Sequence, residues 1–478
     1  MEGVVDQPLT VFSANRSYLR KIAIGLVLIV TGIFIGVIFN DAWFTEKNLW
    51  AFGVFGLGLC PFILWFYRGE CWAFPVFELV GLFYGICFGL SSIFVSDDVS
   101  IVGVEERTQA LKLTLFGLLG AYWAYYGIGR AFFKSLRPLR IKNPVSYDVL
   151  VKNAWIITWI YLFYRIFFIN YGETIVFIHQ PLMALGSLSN AIILVEVLTS
   201  RKNTLRKYIL LSLVVSLQIL IGLSSGALGQ IALVMFFFLL IYLNVKKKLL
   251  VKTIVFFIIA IVFMNPVKHE MRSSIAENSN NLNFIEKADV FIELLENPGK
   301  YSDVHGSLEN TISRIDHSGL LAEVMVQSPE YVPFAWGKTY VSLFTIWVPR
   351  FLWPEKPMSS VGNVWAHWYG LLGPNDFSSS YNLPWIVEFY VNFGVPGVLI
   401  GMFLCGLGFA WLKARLCSEQ SSTLEYAIGV AILINLWFEE SNFALSVGGI
   451  LIYSVTLFFY FKILKLLYRN QNFSPLNI

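Results

Sequence analysis

The chain has 478 residues, 56% of them hydrophobic and 14% charged, with a net charge of +4 at pH 7 and a mean hydropathy of +0.65. So few charges cannot cover the surface of a soluble domain, which excludes a string of soluble domains. The basic residues follow the ends of apolar runs and do not gather in one patch, so a nucleic-acid partner has no support.

The N-terminal stretch MEGVVDQPLTVFSANRSYLRK is too polar for a cleaved signal. From Ile22 onward, apolar runs recur at about the 20 residues that a helix needs to cross the hydrocarbon of a bilayer. They predict an all-α polytopic membrane protein of about twelve transmembrane helices. The spans fall near 22–39, 48–67, 73–95, 112–132, 154–171, 180–199, 208–223, 228–245, 249–265, 385–412, 424–438 and 443–463. With the N-terminus in the cytoplasm, every connection agrees with the positive-inside rule. The inner segments then hold clusters such as Arg130, Lys134, Arg137, Arg140 and Lys142, or Lys246, Lys247 and Lys248. The short outer connections hold only Lys47, Arg107 and Lys112. Both termini are expected in the cytoplasm. The five cysteines (Cys60, Cys71, Cys87, Cys405, Cys417) fall inside helices or at their inner ends, and no disulfide is expected.

Three regions follow: helices 1–9 over 1–265, an extracytoplasmic cap over 266–384, and helices 10–12 with a cytoplasmic tail over 385–478. The cap is folded by its pattern. FIEKADVFIELLE at 284–296 and ISRIDHSGLLAEVMV at 312–326 both have helical apolar spacing. Trp336, Tyr340, Trp347, Trp353, Trp365, Trp368 and Tyr369 make it dense in aromatics that suit either sugar faces or the membrane interface.

Chemistry-bearing residues appear at intervals along this frame. Arg165 lies inside the fifth span, where a charge points to a binding role or snorkels to the interface. His269 and Arg272 follow Pro266 at the start of the cap. In SRIDHSG, Arg314 and His317 are three apart and would share a helix face, as a phosphate clamp with a proton carrier or as a surface Arg314–Asp316 pair beside a solvated histidine. VPRFLWPEKP (348–357) carries Arg350, Trp353 and Lys356 on a proline-stiffened loop, a preorganised pyrophosphate clamp or an interfacial anchor. Glu388 opens the tenth span, with Asn392 one turn on and Tyr390 on another face; it is a candidate general base or a structural hydrogen-bonding group. Glu439 and Glu440, His367, and the Asp97–Asp98 pair are weaker candidates. There is no P-loop, HExxH or GxSxG motif, so any chemistry must draw on an activated, lipid-borne substrate.

The ordered set SRIDHSGLLAEVM, WGKTY (336–340), VPRFLWPEKP and EFYVNFGVPGVLIG (388–401) resembles the O-antigen polymerase, or oligosaccharide repeat-unit polymerase, family of bacterial polysaccharide synthesis. The SSGALGQ break (224–230) departs from that pattern, in which a basic residue often follows the serine. The resemblance implies a GT-C-like fold in the bacterial inner membrane and a metal-independent glycosyltransferase without a cofactor. Its partners would be membrane lipid and an undecaprenyl-pyrophosphate-linked oligosaccharide, with a chain-length regulator as a further candidate. It implies pyrophosphate binding by Arg314, Arg350, Arg165, Arg272 and Lys356, catalysis by Glu388 and His317, and sugar contacts from Trp353, Trp368 and Tyr390. The competing readings are an O-antigen ligase, with the same donor and a lipid A–core acceptor, and a transporter or flippase.

Overall fold

The computed structural model describes residues 9–39, 43–69, 74–95, 102–140, 145–168, 176–200, 205–224, 228–248, 252, 284–296, 312, 314–345, 353, 355, 361–377, 379–418, 420–437 and 441–468. Among them all regular structure is helical. Among the described residues nine helices are long and apolar enough to cross a membrane. Large apolar side chains such as Leu28, Ile29, Phe458 and Phe459 face outward on the first and last of these, as a lipid-facing surface requires.

The first three helices are α1 (Leu9–Ile38), α2 (Glu46–Arg68) and α3 (Val76–Phe94). Helix α2 starts at Thr45, whose hydroxyl accepts from the Asn48 amide, and ends on Gly69 in the left-handed conformation. Helix α3 is the buried centre of the bundle. Its Gly81, Gly85 and Gly89 recur every four residues and lie against α2; a Cβ on Gly58 of α2 would come within 2.6 Å of the Gly85 Cα. Small residues at this spacing let two membrane helices approach backbone to backbone.

Helix α4 runs continuously over 104–133, with one wide π-helical turn at Trp123–Gly129. It coincides with the predicted span 112–132 but is not among the nine. Glu105, Glu106, Arg107 and Lys112 crowd its start, and its second half, AYWAYYG, is lowered in hydropathy by tyrosines. Helices α5 (Tyr147–Phe167), α6 (Val176–Thr199), α7 (Leu205–Ser224) and α8 (Leu228–Lys246) follow as predicted. The predicted span 249–265 lies outside the described residues.

The cap contributes α9 (Phe284–Glu296), which packs on α7, and α10 (His317–Gln327), which packs on α3, α4 and the next long helix. Short helices α11 (Val341–Thr345) and α12 (Gly362–Trp368) complete its described part. Helix α13 (Trp385–Leu416) lies along α4, where Gly117 meets Val398 and Met402 and Gly129 meets Ala410. Helix α14 (Thr423–Leu433) is shorter than the predicted 424–438 and tightens into a 3₁₀ turn through Trp437. Helix α15 (Phe443–Leu467) closes the fold. Among the described residues Cys60, Cys87, Cys405 and Cys417 form no disulfide.

Candidate functional site

The tenth predicted span is a broken helix, and the break follows from two residues. Gly394 adopts φ 66°, ψ −152°, a conformation open essentially only to glycine. Pro396 has no N–H, so the Asn392 carbonyl four residues earlier loses its helical donor. The freed carbonyls are taken by the cap. Ala335 donates its backbone N–H to the Val391 carbonyl at 2.9 Å, and Trp336 donates to the Asn392 carbonyl at 3.2 Å. The Asn392 side chain continues the seam. Its Oδ1 accepts from the Gly337 N–H at 2.8 Å, and its Nδ2 donates to Thr339 Oγ1 and to the Glu388 carbonyl, both at 2.8 Å. Trp336 and Gly337 take positive φ values of 49° and 85° to make this turn. Two of the four pieces that carry the family resemblance, WGKTY and EFYVNFG, are therefore one hydrogen-bonded unit.

Glu388 sits one turn above that seam with no solvent exposure. Its Oε2 accepts from the Phe443 N–H at 2.6 Å, in the first turn of α15, where the unpaired amides and the helix dipole favour a carboxylate. Its Oε1 has no hydrogen-bond partner among the described residues, although the Thr339 hydroxyl is a close neighbour. Tyr340 lies beside Phe443 with ring centroids 5.8 Å apart, and Trp385 does so at 4.9 Å. Burial, and then the nearby Glu388 carboxylate, raise the Tyr340 phenol above its ordinary range, so it keeps its proton.

The SRIDHSG segment folds differently from the expected shared helix face. Asp316 has φ −77°, ψ 86°, outside the helical region, and α10 begins only at His317. Arg314 is exposed, whereas His317 is 3% exposed. The histidine lies between the Phe83 and Phe88 rings of α3, at 5.9 and 5.7 Å. Burial pushes its pKa from 6.5 down to about 4, so it is neutral at physiological pH and not the solvated histidine of the surface account. Nor does Asp316 pair with Arg314. It binds Arg107 of α4 at 2.5 Å, with both side chains 5% exposed, and accepts from Ser318 at 2.6 Å and Ser91 at 3.4 Å. Arg314 instead neighbours Tyr381, whose phenol is raised above its ordinary range by burial and then by Glu323, with Arg314 offsetting a smaller part.

Arg165 does not snorkel. It is buried at 5% exposure, donates to Gln230 Oε1 at 2.9 Å and to the Tyr161 hydroxyl at 3.2 Å, and its Nε has no bond among the described residues. Gln230, the last residue of the SSGALGQ stretch, stands in the first turn of α8, and residues 225–227 of that stretch lie outside the described residues. Trp353 and Trp368 are exposed, and Tyr390 is buried edge-on against Phe334. His367 bonds the Asp376 carbonyl at 3.0 Å. Arg272, His269, Arg350, Lys356, Glu439, Glu440, Asp97 and Asp98 lie outside the described residues.

Residues 133–468 match a family described as "Domain of unknown function (DUF8712)". The chain belongs to this family. No curated protein and no solved structure matches it. The DUF8712 region holds the broken helix, its cap loop and Glu388. It leaves out α1 to α3 and nearly all of α4, so the Arg107–Asp316 pair ties the DUF8712 region to the helices before it. Arg107 is the residue that sequence reasoning undervalued, as one of three outer-loop charges. A basic residue in the first turn of a helix opposes the dipole and was the available signal. The Phe443 amide carries no side-chain signature at all.

Proposed function

We propose that the protein polymerises lipid-linked oligosaccharide repeat units by glycan transfer from undecaprenyl pyrophosphate, with the cap and the Glu388 site on the outer side of the bacterial inner membrane and both termini in the cytoplasm. The observation that carries this reading is the Glu388 carboxylate: one oxygen fixed by a helix-end amide, the other uncommitted, beside the loop that supplies WGKTY. Such a group suits general-base work. The acceptor sugar hydroxyl gives its proton to Glu388 Oε1. Its oxygen forms the new bond to the anomeric carbon of the donor glycan. The bond from that carbon to the phosphate oxygen breaks, and its electron pair leaves with undecaprenyl pyrophosphate. Arg314, exposed on the cap, and Arg350 meet the negative charge that builds there. Neutral His317 holds the segment against α3 and so acts as a positioning residue for Arg314.

Purified full-length protein supplied with defined lipid-linked oligosaccharides should produce a ladder of longer glycans without an ion gradient. Glu388→Gln should lower the turnover by about 10²–10⁴-fold, and Arg314→Ala by about 10²–10³-fold. Absence of any ladder from the wild type sinks the reading. Transfer only to a lipid A–core acceptor reassigns the protein as a ligase.

A further inference from the structure

Near Glu388, the buried Trp385 Nε1 and Ser342 Oγ have no hydrogen bond among the described residues, and Glu388 Oε1 and Tyr340 Oη have only the neighbouring Thr339 hydroxyl and Asn392 side chain as loose partners. All belong to residues gathered round the start of α15. Glu388 bonds the Phe443 amide, Tyr340 and Trp385 flank the Phe443 ring, and α11, which carries Ser342, packs on α15. Buried polar groups without good hydrogen bonds are costly, so their concentration here is one that packing alone does not explain.

Their chemistry defines a complement. A carboxylate oxygen only accepts, an indole N–H only donates, and a protonated phenol and a serine hydroxyl do either. A ligand with adjacent hydroxyls, each able to donate once and accept, satisfies such a set. Trp385 stacks on Phe409 at 5.9 Å and Tyr340 on Phe393 at 6.4 Å, so both rings are held rigidly by their aromatic neighbours. Tyr340 is partly buried, the least enclosed of the four residues. We infer that Tyr340 and Trp385 form, with Glu388, the subsite for the attacking sugar of the acceptor glycan, and hold its hydroxyls so that one points at Oε1. The inference rests on the polymerase reading and adds to it the acceptor-side residues, distinct from the cap arginines that face the donor.

The test titrates a single-repeat acceptor against a fixed long-chain donor, using full-length wild type, Tyr340→Phe and Trp385→Phe. Both substitutions keep an aromatic ring and remove only the polar atom or the indole. Each should raise the KM for acceptor about tenfold, the effect of about 1.4 kcal/mol, with the donor KM and the thermal midpoint unchanged. If wild type elongates and both variants match its acceptor KM, this inference alone is overturned. If wild type does not elongate at all, the polymerase reading fails and the inference with it. Should Trp385→Phe accumulate poorly, Tyr340→Phe at the more accessible position carries the same decision.

Discussion

His317 shows how one residue's surroundings decide its chemistry. A solvated histidine titrates near pH 6.5; this one is held neutral down to about 4 by burial against Phe83 and Phe88. Between those values the unfolded chain binds the proton and the folded chain does not, so stability rises with pH across that window and is level above it. A full window corresponds to about 3 kcal/mol at about 1.4 kcal/mol per pKa unit. Detergent-solubilised wild type should therefore melt at a lower temperature at pH 4.5 than at pH 7, and His317→Leu should lose most of that difference. An equal pH slope in both proteins would show that the acid sensitivity lies elsewhere. The Arg107–Asp316 pair makes a second prediction at this scale. Arg107→Ala leaves a buried carboxylate without its cation and should destabilise by about 3–5 kcal/mol. Arg107→Ala with Asp316→Ala should recover much of that, read from thermal midpoints and from proteolysis of the cap.

At the scale of elements, the decisive feature is the joint between the cap loop and the broken α13. Gly394→Ala forces a side chain into a glycine-only conformation and puts its Cβ 2.9 Å from the Phe334 ring. A loss of about 1–3 kcal/mol is expected from the backbone alone, and the seam at Ala335 and Trp336 should loosen with it. Faster amide exchange at those two positions, with α15 unchanged, is the corresponding measurement. Only part of this element is legible in the sequence: Glu388 with Asn392 one turn on is apparent, but 385–412 reads as one continuous span, although Gly394 and Pro396 in an apolar run can mark a break. What receives the freed carbonyls was not readable, because the partners are backbone N–H groups more than fifty residues earlier in the chain. The SRIDHSG segment failed for a related reason. Three-residue spacing implies a common face only within a helix, and Asp316 leaves the helix to reach Arg107, more than two hundred residues away in sequence.

For the molecule as a whole, hydropathy alone located the long helices, since lipid demands continuous apolar length and closed backbone bonding. It was least informative at α4 and α14, where tyrosines, charges or shortness dilute the signal although both helices pack inside the bundle. Helices α3, α4 and α13 pack together, while the residues round Glu388 (335–342, 385–392 and 443) all lie in the last part of the chain. Orientation makes the whole-molecule prediction. Cysteine tags placed in 361–377 should react with a membrane-impermeant reagent added to the periplasmic side, and tags in 134–140 should react only after permeabilisation. The reverse pattern would separate the cap from any outer-leaflet glycan.

The fixed oxygen of Glu388 is held by a main-chain amide, and the two carbonyls of the broken helix are held by main-chain amides as well. Such contacts are indifferent to what side chain stands at the donor position. Residues 335 and 443 can drift through many amino acids while the geometry persists, whereas 336 must also hold a positive φ; proline at any of the three would abolish the contact. Divergent relatives can thus keep the same architecture round the carboxylate with few shared letters, and a saturation scan would reveal proline intolerance at all three scattered sites, with β-branched residues also disfavoured at 336.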